Sequence, residues 1–124
     1  MPGALDGVQI LDLSWGVAGA LGTLLLAEQG ADVIKVEPPG GDPFRQYSGY
    51  AVWNRSRRSV TVDLKNPAGA DAFRKLAAGA DVLVETFRPG VTDRLGIGMC
   101  RKTGPGRQPG CSHCWPLLAC TSAS

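Results

Sequence analysis

Residues 1–98 of this chain contain no cysteine; all four cysteines and the single histidine fall in residues 99–124. Nothing in the first part can depend on an oxidising compartment, and a cytoplasmic protein is the expectation. No apolar run approaches ~18 residues, so no membrane-spanning helix is expected. The opening MPGALDG has no charged start followed by an apolar stretch, so no secretory signal is expected either. Acid is missing from the tail: residues 99–124 carry three Lys/Arg and no Asp/Glu, a charge of +3. Residues 1–98 carry ten against eleven, hence −1, and that near-neutral balance argues against a general nucleic-acid binder. What is present is 44% apolar and 19% charged, the composition of a soluble globular protein. A chain of 124 residues suffices for one small domain and is too short for a two-domain enzyme.

The patterned part reads as strand, helix, strand, loop, strand, helix, strand. VQILDL (8–13) is too short for a helix and suits a buried strand. The run Ala18–Gln29 keeps Leu21, Leu24 and Leu25 at helical spacing, Ser14 can cap or turn the chain before it, and Gly30 is placed to end it in a left-handed conformation. DVIKVE (32–37) is a second buried strand, which makes a parallel βαβ unit. Residues 38–50 are a loop by their prolines and glycines. SVTVDL (59–64) is a third strand, and Asn66 and Pro67 open a second helix as N-cap and first helical residue. In that helix Phe73, Leu76, Ala77 and Ala80 share one face. DVLVE (81–85) is the last strand. The likeness of GADVIKVE to GADVLVE is that of two helix-to-strand joints in one α/β fold. The expected fold class is α/β, with a doubly wound, Rossmann-like parallel sheet.

In such sheets ligands bind beyond the carboxyl ends of the strands, here Ser14–Gly19, Pro38–Arg45 and Thr86–Gly90. Glycines 16, 19 and 22 are spaced G-x-x-G-x-x-G, not the G-x-G-x-x-G of a dinucleotide site. Glu37 does stand near the expected offset of a ribose-binding acid, so an NAD-type module remains an alternative to glycines that merely let a helix pack closely. Residues 54–65 hold Arg55, Arg57, Arg58 and Lys65, which read either as solvated surface or as phosphate donors that Arg88 and Arg94 could extend. Tyr50 and Trp53 could cover an adenine ring or sit in the core.

Four segments in order, GADVIKVE, GDPFR, RRSVTVDLK and FRPG, carry a resemblance. From about Leu5 to Gly98 the chain resembles the start of a family III CoA-transferase, the group that includes formyl-CoA transferase, carnitine CoA-transferases and α-methylacyl-CoA racemase. The resemblance implies that coenzyme A, as acyl-CoA, is held at these strand ends. Gly16 and Val17 would give backbone contacts near the thioester, and Val62, Asp63, Leu64 and Lys65 would meet the nucleotide end. Thr86 and Phe87 would lie along the cofactor, and Arg94 would reach its phosphates. The family's chemistry passes CoA from an acyl-CoA to a carboxylic acid through an aspartyl-CoA intermediate, or racemises an acyl-CoA. Its nucleophilic aspartate, and the racemase His/Asp pair, lie beyond the matching region; Asp12, Asp32, Asp42, Asp63, Asp81 and Asp93 match non-catalytic positions. The resemblance also implies interlocked homodimers, and no metal, nucleic-acid or membrane partner. Three positions depart from the family pattern: Ala20 for Pro, Arg57 for Lys, and Thr86 for Asn.

After R-L-G-I-G the family pattern stops. Residues 99–124 have no helical period and several prolines and glycines. The expectation is two parts: 1–98, a truncated N-terminal CoA-binding part, and 99–124, an unrelated, out-of-frame and disordered tail. A zinc-binding stub built on Cys111, Cys114 and His113, with Cys100 and Cys120 nearby, is the competing reading; a single C-x₂-C pair speaks against it. Without its later residues the body is expected to leave sheet edges and an apolar face uncovered.

Overall fold

The computed structural model describes residues 2–97, so the expectations for the tail lie outside the described residues. Four strands form one sheet: β1 (Gln9–Asp12), β2 (Asp32–Glu37), β3 (Arg58–Thr61) and β4 (Val82–Val84). Their order is β3-β2-β1-β4 and every pairing is parallel. The register sets Ile10 beside both Val33 and Val82, and Asp12 beside both Lys35 and Val84. Both GADV joints therefore feed strands that flank β1.

Alternation along the strands sends successive side chains to opposite faces. Both faces of β1 and β2 are buried, as the centre of a parallel sheet requires, while the edge strand β3 is mostly exposed. On one face Leu11, Val36 and Leu83 pack with Val62, Ala70, Phe73 and Ile97 under α3 (Pro67–Ala78). On the other, Ile10 and Val33 pack with Ala31, Leu26 and Ala27 at the C-terminal end of α1 (Gly16–Glu28). The sheet is thus doubly wound. The Asn66 side chain accepts from the Ala68 N–H at 3.0 Å and Pro67 is the first helical residue, the signature read in the sequence. Gly30 has φ +102° just past the end of α1, where an L side chain would be strained.

Three local expectations change. α1 starts at Gly16, earlier than its leucine spacing suggests, with Trp15 in extended conformation at its N-cap and no side-chain cap. Ser14 does not cap it: Ser14 is buried, and its N–H donates to Asp12 Oδ1 at 2.8 Å. The loop after β2 contains a 3₁₀ turn (Pro43–Gln46) and a one-turn α2 (Tyr50–Trp53). The turn forms because Asp42 caps it, its carboxylate accepting from the Phe44 N–H at 2.8 Å, with Pro43 at the first position. A further single turn, α4 (Val91–Arg94), follows β4.

Candidate functional site

The strand order reverses between β1 and β4, since β2 and β3 continue to one side of β1 and β4 lies on the other. Beyond the carboxyl ends of such a pair the connecting loops part and leave a crevice. Here the two loops are tied to each other. Thr86 Oγ1 accepts from the Trp15 N–H at 3.0 Å, and the Trp15 and Phe87 rings meet edge-to-face with centroids 6.0 Å apart. Where the family pattern has an amide-bearing Asn, Thr86 therefore provides a hydroxyl acceptor for backbone. Gly16 has φ +84°, and Phe44 lies where a Gly16 side chain would point, 3.6 Å from an added Cβ. The structure thus brings Gly16, Val17, Thr86 and Phe87 together, with Trp15 and Phe44 beside them. Trp15 and Phe44 carried no signal in the sequence beyond their places in the loops that follow β1 and β2.

A buried ionic framework supports that crevice. Asp12, at the end of β1, is fully buried; its carboxylate takes Thr23 Oγ1 at 2.8 Å and Arg57 Nη1 at 2.9 Å. Arg57 also donates to the carbonyls of Ala20 and Trp53, so one side chain joins β1, α1 and α2. Burial lowers the Arg57 pKa, and the Asp12 charge opposes that fall. Beside it, Lys35 Nζ contacts Asp42 Oδ2 at 3.0 Å and donates to the Ser14 carbonyl at 2.9 Å, both side chains being buried. Charged residues inside the apolar strands VQILDL and DVIKVE were the signal for these pairs, because a buried charge must be partnered. Glu37 closes the framework: its carboxylate accepts from Arg45 Nε at 2.8 Å, the Asp42 N–H at 3.0 Å and Tyr50 Oη at 3.0 Å. Burial would raise the Glu37 pKa, but those three hydrogen bonds and the Arg45 charge outweigh it and hold the carboxyl below its ordinary value.

These contacts decide between the readings of several residues. Glu37 is fully engaged inside the protein and is not presented to a ribose, which removes the main support for an NAD-type module. Of the basic run, Arg57 is buried, Arg55 pairs with Glu28 and Arg58 with Asp32. Arg57 is therefore a core ion-pair partner and Arg55 and Arg58 are exposed surface pairs, which leaves Lys65 as the member of the run without an ion pair among the described residues. Tyr50 belongs to the Glu37 network, and Trp53 packs over Gly49 while its carbonyl accepts from Arg57.

The other candidates lie apart from the crevice. Val62–Lys65 follow β3, two strands from β1, which is about 10 Å at ordinary strand spacing. Val62 is buried in the core and its N–H donates to the Glu37 carbonyl at 2.9 Å, and Leu64 packs against the same core. Asp63 and Lys65 are exposed, with Asp63 Oδ1 accepting from the Lys65 N–H. Arg94 is exposed on α4. Lys65, Arg88 and Arg94 make no ion pair among the described residues, so their charges remain available. An extended molecule with anionic groups and an apolar end fits this distribution of free cations and aromatic crevice. Among the described residues no group of three or more His, Cys, Asp or Glu stands together as a metal site, and no helix is long and apolar enough to cross a membrane.

A doubly wound α/β sheet with a crevice at its switch point defines the class, and comparison with known proteins narrows it. The model of CoA-transferase family III matches residues 5–103, and the chain belongs to that family. It is 41% identical over 107 residues to the succinyl-CoA–D-citramalate CoA-transferase of Chloroflexus aurantiacus, covering 78% of this chain and 27% of that protein. It is 46% identical over 107 residues to a formyl-CoA:oxalate CoA-transferase of Rhodopseudomonas palustris, covering 78% and 25%. The crystal structure of Rv3272 from Mycobacterium tuberculosis superposes with a TM-score of 0.75 at 42% identity, over 77% of this chain and 29% of that one. The curated relative of that name, a probable fatty acyl-CoA transferase, is 41% identical over 105 residues, covering 76% of this chain and 27% of the relative. The chain thus spans about a quarter of the length of these curated relatives.

Proposed function

We propose that residues 1–98 are the N-terminal CoA-binding part of an acyl-CoA-using enzyme of this family. CoA would lie across the strand ends, its thioester at Gly16 and Val17, with Thr86 and Phe87 along it. Its nucleotide end would reach Val62–Lys65, and Arg94 would meet its phosphates. Family membership combined with the tied β1 and β4 ends, where Thr86 holds the Trp15 backbone, carries this reading. The uncapped start of α1 leaves first-turn N–H groups to face a developing oxyanion or an anionic ligand.

These residues would bind without completing the reaction. The family's transfer needs a carboxylate that attacks the acyl-CoA carbonyl and expels the CoA thiolate. The thiolate then attacks the resulting anhydride at the aspartyl carbonyl, releasing the carboxylate of the donor acid and leaving aspartyl-CoA. Asp12, Asp32 and Asp42 are each held in an ion pair, and Asp81 accepts from the Gln9 N–H. None of them is offered to a thioester in the crevice. The nucleophile, or the racemase acid–base pair, would come from a later part of the enzyme, which would also supply the homodimer contacts. The relatives' names include succinyl, formyl and fatty acyl donors, so transferase chemistry is favoured over racemisation while the acyl group varies among them.

The test is calorimetric titration of the chain with CoA, NAD and Zn²⁺, followed by incubation with acyl-CoA and trapping with hydroxylamine or borohydride. CoA binding that weakens with salt, and about tenfold in Lys65→Ala or Arg94→Ala, is expected because exposed cations are screened. NAD binding in preference to CoA, stoichiometric zinc uptake, or a trapped adduct on an aspartate of residues 1–98 would overturn the reading.

A further inference from the structure

The crevice is walled by apolar side chains. Trp15 is 44% exposed, Val17 37% and Tyr47 52%. Phe87 stands edge-to-face with Trp15, and Phe44 leans on Gly16 and pairs with the Tyr47 ring at 5.6 Å. Large aromatic rings held half in solvent at a ligand-binding position lose water favourably when an apolar group covers them. Three of the charges nearby are already satisfied, Asp12 by Arg57, Lys35 by Asp42, and Glu37 by Arg45, while Arg88, which follows Phe87, is exposed and makes no ion pair among the described residues. None of Arg57, Lys35 and Arg45 is free to receive the second carboxylate of a dicarboxylic acyl group, and the exposed Arg88 stands on the far side of Phe87 in sequence.

We propose that this wall receives an apolar acyl group, aliphatic or aryl, in preference to a short dicarboxylic one. The inference rests on the reading of Gly16 and Val17 as the thioester end of the CoA site. The Thr86–Trp15 hydrogen bond acts here as a positioning contact, since it fixes the backbone of Trp15, whose indole meets Phe87 edge-to-face. The exposed Leu25 lies two turns further along the same side of α1, about 12 Å from Val17, and serves as the control for general surface apolarity.

The experiment is titration of the 124-residue chain with CoA, acetyl-CoA, succinyl-CoA, octanoyl-CoA and benzoyl-CoA. Octanoyl- and benzoyl-CoA are expected to bind at least about tenfold tighter than acetyl-CoA, from partial burial of the added apolar surface. Succinyl-CoA is expected to bind no tighter than acetyl-CoA. The octanoyl-to-acetyl ratio should shrink in Trp15→Ala and Val17→Gln and persist in Leu25→Gln. Equal affinities across the wild-type series, tightest binding of succinyl-CoA, or a ratio lost only in Leu25→Gln would each overturn the proposal. Failure to bind CoA itself would instead overturn the CoA-site reading beneath it.

Discussion

Glu37 is the residue on which two readings of this chain turn. Its position in the sequence allowed a ribose contact, but the folded chain directs Arg45, Tyr50 and the Asp42 N–H onto its carboxylate. Those contacts make stability depend on pH at both ends. The Glu37 value is depressed below 4.5, so its contribution is complete above 4.5 and is lost as pH falls through the lowered value. Burial, and then the hydrogen bond to Glu37, raise Tyr50 well above 10.0. Its contribution is therefore present below 10.0 and is lost as pH rises toward the raised value. Tyr50→Phe should cost about 1–2 kcal/mol near neutrality and flatten the alkaline limb. Thermal melts followed by circular dichroism from acid to alkali check this; an unchanged alkaline limb in the variant would assign the loss to other groups.

At the level of elements, α1 shows how glycines of one spacing serve different ends. A Cβ at Gly19 would stand 2.2 Å from Ser14 Cβ and Oγ, whereas a Cβ at Gly22 meets nothing within 4 Å. Gly19 is what allows the first turn of α1 to sit against the chain leaving β1. Gly19→Ala should therefore destabilise by about 1–3 kcal/mol, as overpacking does. Gly22→Ala should stabilise by about 0.5–1 kcal/mol, because the helix loses a flexible residue without a clash. Chemical denaturation of the two variants separates these outcomes, and equal effects would mean that Gly19 has no close-packing role.

The whole molecule leaves part of itself uncovered. Val17, Leu21 and Leu25 recur at i, i+4 along α1 and all are exposed, with Leu25 at 64%. A helix that is apolar all round is one that expects cover on both sides. β3 and β4 end the sheet and have no further strand among the described residues. The chain by itself should therefore associate with rising concentration, and Leu21→Gln with Leu25→Gln should reduce that association. Sedimentation velocity over a concentration series measures it. A monomer at every concentration, melting in one sharp cooperative step, would contradict the expectation.

Much of this protein was determined by the sequence alone. The parallel α/β layout follows from short apolar runs too brief for helices, and the start of α3 follows from Asn66 and Pro67, because these signals act over a few residues. The family followed from four segments in order, and the crevice at the switch point followed from the layout. Tertiary structure decided which charges are free. Arg57, Arg55 and Arg58 are consecutive or nearly so, yet each meets a different acid brought from β1, α1 or β2. No local pattern encodes those meetings, since they depend on where strands 20 or more residues apart come to lie. The same holds for Thr86 and the Trp15 backbone, joined only because β1 and β4 are neighbours in the sheet.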